Sequence, residues 1–142
     1  MPDILHRIGI NAPTARVYTA LTTLEGVRGW WVSSATGDAH NGGTIDFGFC
    51  QMKVEAAHPG TLVRWRCVGG PEEWVGTTVT FRLVWKDEQT FVVFSHEGWR
   101  EPVEFMHHCS TKWAVFLFSL RELVETGAGR PAPHDLKIHV GD

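Results

Sequence analysis

Several things are scarce in this chain, and each scarcity excludes something. No apolar run reaches the length of a membrane span. No basic block exceeds a residue or two and the formal charge is −3, which argues against nucleic acid or an anionic membrane surface as partner. Cysteine appears three times, as Cys50, Cys67 and Cys109, with no C-x-x-C spacing. An odd count without a signal peptide predicts reduced thiols and a cytoplasmic protein. No serine stands in a G-x-S-x-G elbow, and no glycine run matches a phosphate loop. The carboxylates Asp46, Glu55, Glu72, Glu73 and Glu97 form no evident catalytic pair, although Glu72 and Glu73 lie in a loop that is expected near a pocket rim.

Aromatic residues are plentiful instead. Seven tryptophans and eight phenylalanines occur in 142 residues, against a single tyrosine. Rings of this kind fill cores and also line apolar pockets. One domain of this length is large enough to bury a core.

The strongest periodic signal runs from Pro102 to Thr126. Met106, Cys109, Trp113, Phe116/Leu117, Leu120 and Leu123/Val124 recur in steps of three and four and form one inward stripe. His108, Lys112, Ser119, Arg121, Glu122 and Glu125 fall outside it. Pro102 suits a first turn, and Gly127, Gly129 and Pro131 end the helix. Such a helix would be roughly 37 Å long at ~1.5 Å per residue, enough to cross a small domain.

Almost everything before it reads as strand. Asp3 to Ile10 alternates, and Pro13 opens a short helix capped by Asn11 or Ala12. A second short helix spans Leu24 to Val32, and Ser33 to Gly43 is a polar loop. Strands follow at Thr44 to Phe49, Met52 to Ala56, Leu62 to Val68, Thr77 to Trp85 and Thr90 to His96, separated by turn signals such as His58-Pro59-Gly60 and Lys86-Asp87-Glu88. Consecutive short strands with short turns imply an antiparallel sheet. The fold class is therefore α+β: a curved antiparallel sheet wrapped around a long C-terminal helix, with two short helices after the first strand. The domain is expected to span 1–127. The tail 128–142, with Leu136, Ile138 and Val140 in alternation, is expected to pair with a sheet edge, in this chain or in a dimer mate.

Candidate pocket residues come from the inward faces. Trp30, Phe47, Phe49, Trp65, Phe81, Phe94, Trp99, Met106, Cys109 and Trp113 are expected to line a cavity between helix and sheet. His96 falls in line with Val92 and Phe94, so it should face that cavity and could orient a ligand or act as acid or base. Arg64, Arg66 or Arg100 would supply further polar contacts. No metal site or cofactor is expected: His107 and His108 are adjacent on the helix and diverge by about 100°, and Glu97 lacks a second histidine in H-E-x-x-H spacing.

Residues 3–126 resemble the helix-grip (SRPBCC) superfamily, which includes START domains and the birch-pollen-allergen fold. More narrowly they are similar to proteins named after the carboxy-terminal domain of the heat-shock-protein-90 ATPase activator. The resemblance rests on Ile10-Asn11-Ala12-Pro13 followed by Val17, Tyr18, Ala20, Leu21 and Thr22, on Trp30-Trp31, and on Gly42-Gly43 before Phe47. It rests also on Pro59-Gly60 before Val63 and Trp65, and on Thr90 leading to His96-Glu97-Gly98-Trp99. It implies a deep pocket under the long helix, usually for a small apolar molecule. The leading reading is a binding module whose ligand is aromatic or acyl; the alternatives are an enzyme of cyclase, dehydratase or hydrolase type with His96 as acid–base, and a co-chaperone or regulatory domain acting through its surface. A homodimer is compatible with each.

Overall fold

The computed structural model describes residues 1–142. Strand β1 (Ile4–Ile10) leads to helices α1 (Thr14–Thr22) and α2 (Leu24–Trp30). The strands β2 (Thr36–Gly37), β3 (Thr44–Asp46), β4 (Gln51–His58), β5 (Leu62–Gly69), β6 (Thr78–Lys86) and β7 (Gln89–Glu97) follow, then helix α3 (Glu104–Thr126). The seven strands form one antiparallel sheet in the order β1-β7-β6-β5-β4-β3-β2. This is the helix-grip α+β fold expected from the strand and helix periods.

The period of two decides which side of each strand is buried. Val63, Trp65 and Cys67 on β5, Val79, Phe81 and Leu83 on β6, and Val92, Phe94 and His96 on β7 all face the helix. Arg64 and Arg66 point to the outer face, where Arg64 Nε donates to the Thr80 hydroxyl (3.3 Å) and Arg66 lies 3.7 Å from Glu55. They do not reach the interior. A register shift between Val54 and Ala56 bends β4, and bulges of this kind add the curvature that lets a sheet wrap a helix.

Helix α3 begins later than the sequence predicts. Gly98 turns the chain with φ +90°, Trp99 drops into the core, and Val103 remains extended, so Pro102 lies before the first turn and not within it. The C-terminus ends as expected: Gly127 adopts φ +92° and its N–H reaches Leu123 O at 2.9 Å. Arg16 on α1 donates to Val124 O (2.6 Å), satisfying another carbonyl of the last turn.

Two segments depart from expectation. The loop 33–43 contributes the short edge strand β2, and the strand expected through Phe49 stops at Asp46. The tail forms no strand with a sheet edge of this chain. Its only β-type link is a parallel bridge from Ala132 to Val32, after which it folds back over α3. Charge overrides the apolar alternation. Asp135 and Asp142 both bond Lys112 on α3, while Leu136 and Val140 face solvent. Ser119, placed outside the helix stripe by its spacing, is buried under this tail and accepts from the Arg130 N–H at 2.7 Å. Gly129 fits here because a Cβ would stand 2.5 Å from Gly29 O and 2.8 Å from Ser119 O. The tail is thus packed onto the unit formed by residues 1–127.

The core is mostly aromatic. Trp31 stacks on Trp65 at 5.8 Å with planes 2° apart and on Trp30 at 5.9 Å, while Phe81 stands edge-on to Trp65 at 5.0 Å. Truncating such a ring removes its transfer energy and leaves a cavity. Trp65→Ala should cost about 3–5 kcal/mol in urea unfolding. A loss below about 1 kcal/mol would show that the stack is not load-sharing.

Candidate functional site

The space between α3 and the sheet is filled. Trp113, at the middle of α3, donates its indole N–H to Nδ1 of His96 on β7 at 3.1 Å. Phe94 packs on Trp113 at 4.7 Å, Trp74 stands edge-on to His96 at 4.8 Å, and Trp99 closes the other side at 5.1 Å. The cavity expected between Trp113 and His96 is absent because the two side chains touch.

His96 is fully buried and both its nitrogens are used. The Thr77 hydroxyl donates its single proton to Trp74 O (2.6 Å), so it accepts from His96 Nε2 at 2.7 Å. Nδ1, which accepts from Trp113, therefore carries the lone pair, and the imidazole is the neutral Nε2–H form. Burial pushes its pKa down to about 3. A neutral ring with no free lone pair and no path to a cavity is a poor acid–base group. This replaces the expectation that His96 faces a ligand.

Free space lies instead along the flank of α3 that carries Cys109, Trp113 and Phe116. A cavity of about 350 Å³ opens between α3, the end of α2, the segment around Phe49, and the tail. Of the residues expected to line a pocket, Phe49, Cys109 and Trp113 do so. Trp30, Phe47, Trp65, Phe81, Phe94, Trp99 and Met106 are core residues away from its wall, because ring packs on ring across the whole interior. Arg100 lies with Glu72, Glu73 and Trp99 around a separate, shallower hollow.

The walls the sequence reading did not select are Trp31, Trp74, Phe105, Phe116 and, from the tail, Ala132 and Pro133. The Trp30-Trp31 pair was visible in the sequence, but only one of two neighbouring rings can continue a helix stripe. Trp31 lies just past α2, where the helix period no longer holds.

Polar groups collect at one rim. Lys112 Nζ bonds the carboxylates of Asp135 and of Asp142 (2.8 Å), and Lys137 holds the second oxygen of Asp135 at 2.9 Å. Burial works against the charge on Lys112, but the bonds to Asp135 and Asp142 outweigh it and raise its pKa. Asp135 is likewise lowered although burial opposes this, through Lys112 and Lys137. The Lys112 bond, aided by the Ile138 N–H, brings Asp142 down to about 2. Cys109 sits on the apolar wall, where burial pushes its thiol up to about 11, so it is no nucleophile at neutral pH. The indole N–H of Trp74 has no nitrogen or oxygen acceptor, and its polar neighbour is the weakly accepting Cys109 sulfur.

Residues 11–125 match the model of the family described as Activator of Hsp90 ATPase homolog 1-like protein. The chain belongs to this family. Among solved structures it is similar to the Aha1 dimer of Colwellia psychrerythraea, with 44% identity and a TM-score of 0.82 over 91% of this chain and 100% of that one. Protein SSP2350 of Staphylococcus saprophyticus has 20% identity and a TM-score of 0.76, covering 92% and 98% of the two chains. CalU16 of Micromonospora echinospora has 18% identity and a TM-score of 0.74, covering 88% of this chain and 77% of its own. These last two share the fold. No curated protein matches the chain. No helix is long and apolar enough to cross a membrane.

The buried imidazole has a consequence for acid stability. The unfolded chain takes up a proton on His96 below about pH 6.5, whereas the folded chain resists until about pH 3. His96 therefore makes no such pH-dependent contribution above pH 6.5, and stability falls as pH drops from 6.5 toward 3 by about 1.4 kcal/mol per unit from this group alone. Urea unfolding across that window checks it. A flat profile, with the His96 imidazole titrating near 6 by NMR, would contradict the assignment.

Proposed function

We propose that the chain binds a small apolar molecule, aromatic or acyl, in the cavity between α3, the Trp31 corner and the tail. The observation that supports this most is the cavity's lining: Trp31, Phe49, Trp74, Phe105, Trp113 and Phe116 surround about 350 Å³, a volume suited to a small ligand. Lys112 offers the polar end that His96 does not. An ammonium has three N–H donors, and two are taken by Asp135 and Asp142, which leaves one for a ligand oxygen. Burying ring or acyl carbons against these walls gives about 25 cal/mol per Å² before ordering costs. Nothing in the placement of His96 supports the acid–base alternative, and a cytoplasmic setting remains part of this proposal.

Phe49 provides the test, because it lines the cavity yet is 48% exposed and carries little of the core. A naphthalene-type probe should quench tryptophan fluorescence in the wild type. Phe49→Ala should weaken that binding by about tenfold, roughly 1.4 kcal/mol, with almost no change in melting temperature. Equal binding by both proteins, or none by either, would refute the cavity as the site.

A second reading is favoured by the 44% identity to a chain whose structure is described as an Aha1 dimer. On that basis this chain also self-associates, and the family description makes a co-chaperone role through its surface a companion proposal. Sedimentation equilibrium should return twice the monomer mass at micromolar concentration. A monomer throughout would refute self-association.

A further inference from the structure

The folded-back tail brings together three side chains that are far apart in sequence. His108 comes from the second turn of α3, and His139 and Asp142 come from the tail. One donor atom from each lies within 4.8 Å of the others. The His108 and His139 rings are 5.5 Å apart and tilted by 52°, so they do not stack face to face.

The surrounding bonds orient two of the three. His139 donates its Nδ1 proton to the Val140 carbonyl at 2.8 Å, which leaves the Nε2 lone pair free. Asp142 accepts from Lys112 Nζ (2.8 Å) and from the Ile138 N–H (2.9 Å) on Oδ2, which leaves Oδ1 uncommitted. Glu104, one helical turn before His108, lines the same groove as Ile138 and His139 and adds a negative charge there. The Lys112 charge that would oppose a cation is already shared between Asp135 and Asp142.

We propose that His108, His139 and Asp142 form a site for a divalent transition-metal ion of the zinc type. Two imidazoles and one carboxylate are a borderline donor set of the kind zinc accepts. Bonds of about 2.0–2.2 Å in a tetrahedron hold donors roughly 3.4 Å apart, so the three must draw together by about an ångström. The helix fixes His108, and the surface-lying tail supplies the movement. Because His108 and Asp142 also line the apolar cavity, the ion would fasten the tail to α3 at the cavity's edge. The site stands whether or not the cavity takes a ligand.

Metal-free full-length chain titrated with zinc in a calorimeter, and with cobalt(II) by visible absorption, tests this. One ion per chain is expected, with the intense cobalt band of tetrahedral coordination. His108→Ala and His139→Ala should each weaken binding by about tenfold or more. Their folding, read by circular dichroism, should be unchanged, since His139 is exposed and neither residue belongs to the core. His40→Ala, which removes an exposed histidine paired with Asp38, should bind as the wild type does. Zinc should also slow amide exchange at Ile138 in the wild type and leave it unchanged in His139→Ala. No binding, binding that survives both histidine variants, or binding lost in His40→Ala would overturn the proposal.

Discussion

The hydrogen bond from the Trp113 indole to His96 is the contact on which the interior depends. It joins the middle of α3 to the inward face of β7 at 3.1 Å, and so sets how closely the sheet grips the helix. At that separation Phe94, Trp74 and Trp99 pack directly on the pair, and no gap remains between helix and sheet. Burial keeps the imidazole neutral, and the same bond, with the Thr77 hydroxyl on the opposite nitrogen, leaves it fully paired. A polar ring at the centre of an apolar core is tolerated because both its nitrogens have partners. What looks in sequence like a catalytic histidine is a fastening between two elements.

Because the grip is closed, free space moves to the seam between α3 and the tail. Lys112 determines that seam. It reaches from the helix to Asp135 and Asp142, and those carboxylates bring Ala132 and Pro133 against the apolar wall. A mostly buried lysine with two carboxylates is stable only while its partners stay, since a lone buried charge is strongly unfavourable. The tail is therefore one wall of the cavity, and the groups at its end face His108 across a short gap.

Much of the fold was legible in the sequence, for physical reasons. The stripe Met106, Cys109, Trp113, Leu120 repeats with the helix period, and Val92, Phe94, His96 repeats with the strand period. Each pattern fixes a buried face from local spacing alone. The candidate site was much less legible. Periodicity puts Trp65 and Phe81 on the inward face, but only their volumes and stacking decide whether a void is left, and here they leave none. Leu136, Ile138 and Val140 alternate like a strand, yet the tail pairs with no sheet edge of this chain. What governs it is a salt bridge from Lys112 to residues 23 and 30 positions away, and no local pattern reports that. Ser119 and Lys112 fall outside the inward stripe for the same reason: a helix period shows which side is polar, not what later covers it.

Lys112 holds the tail in place as a wall of the site, independently of the closed core. Hydrogen exchange on Lys112→Met is the decisive measurement. The amides of Ala132, His134 and Ile138, bonded in the wild type to Trp31 O, Pro131 O and Asp142 Oδ2, should lose protection. The amides of β5, β6 and β7 should keep theirs. A tail that stays protected without the lysine, or a core that loosens together with the tail, would contradict it.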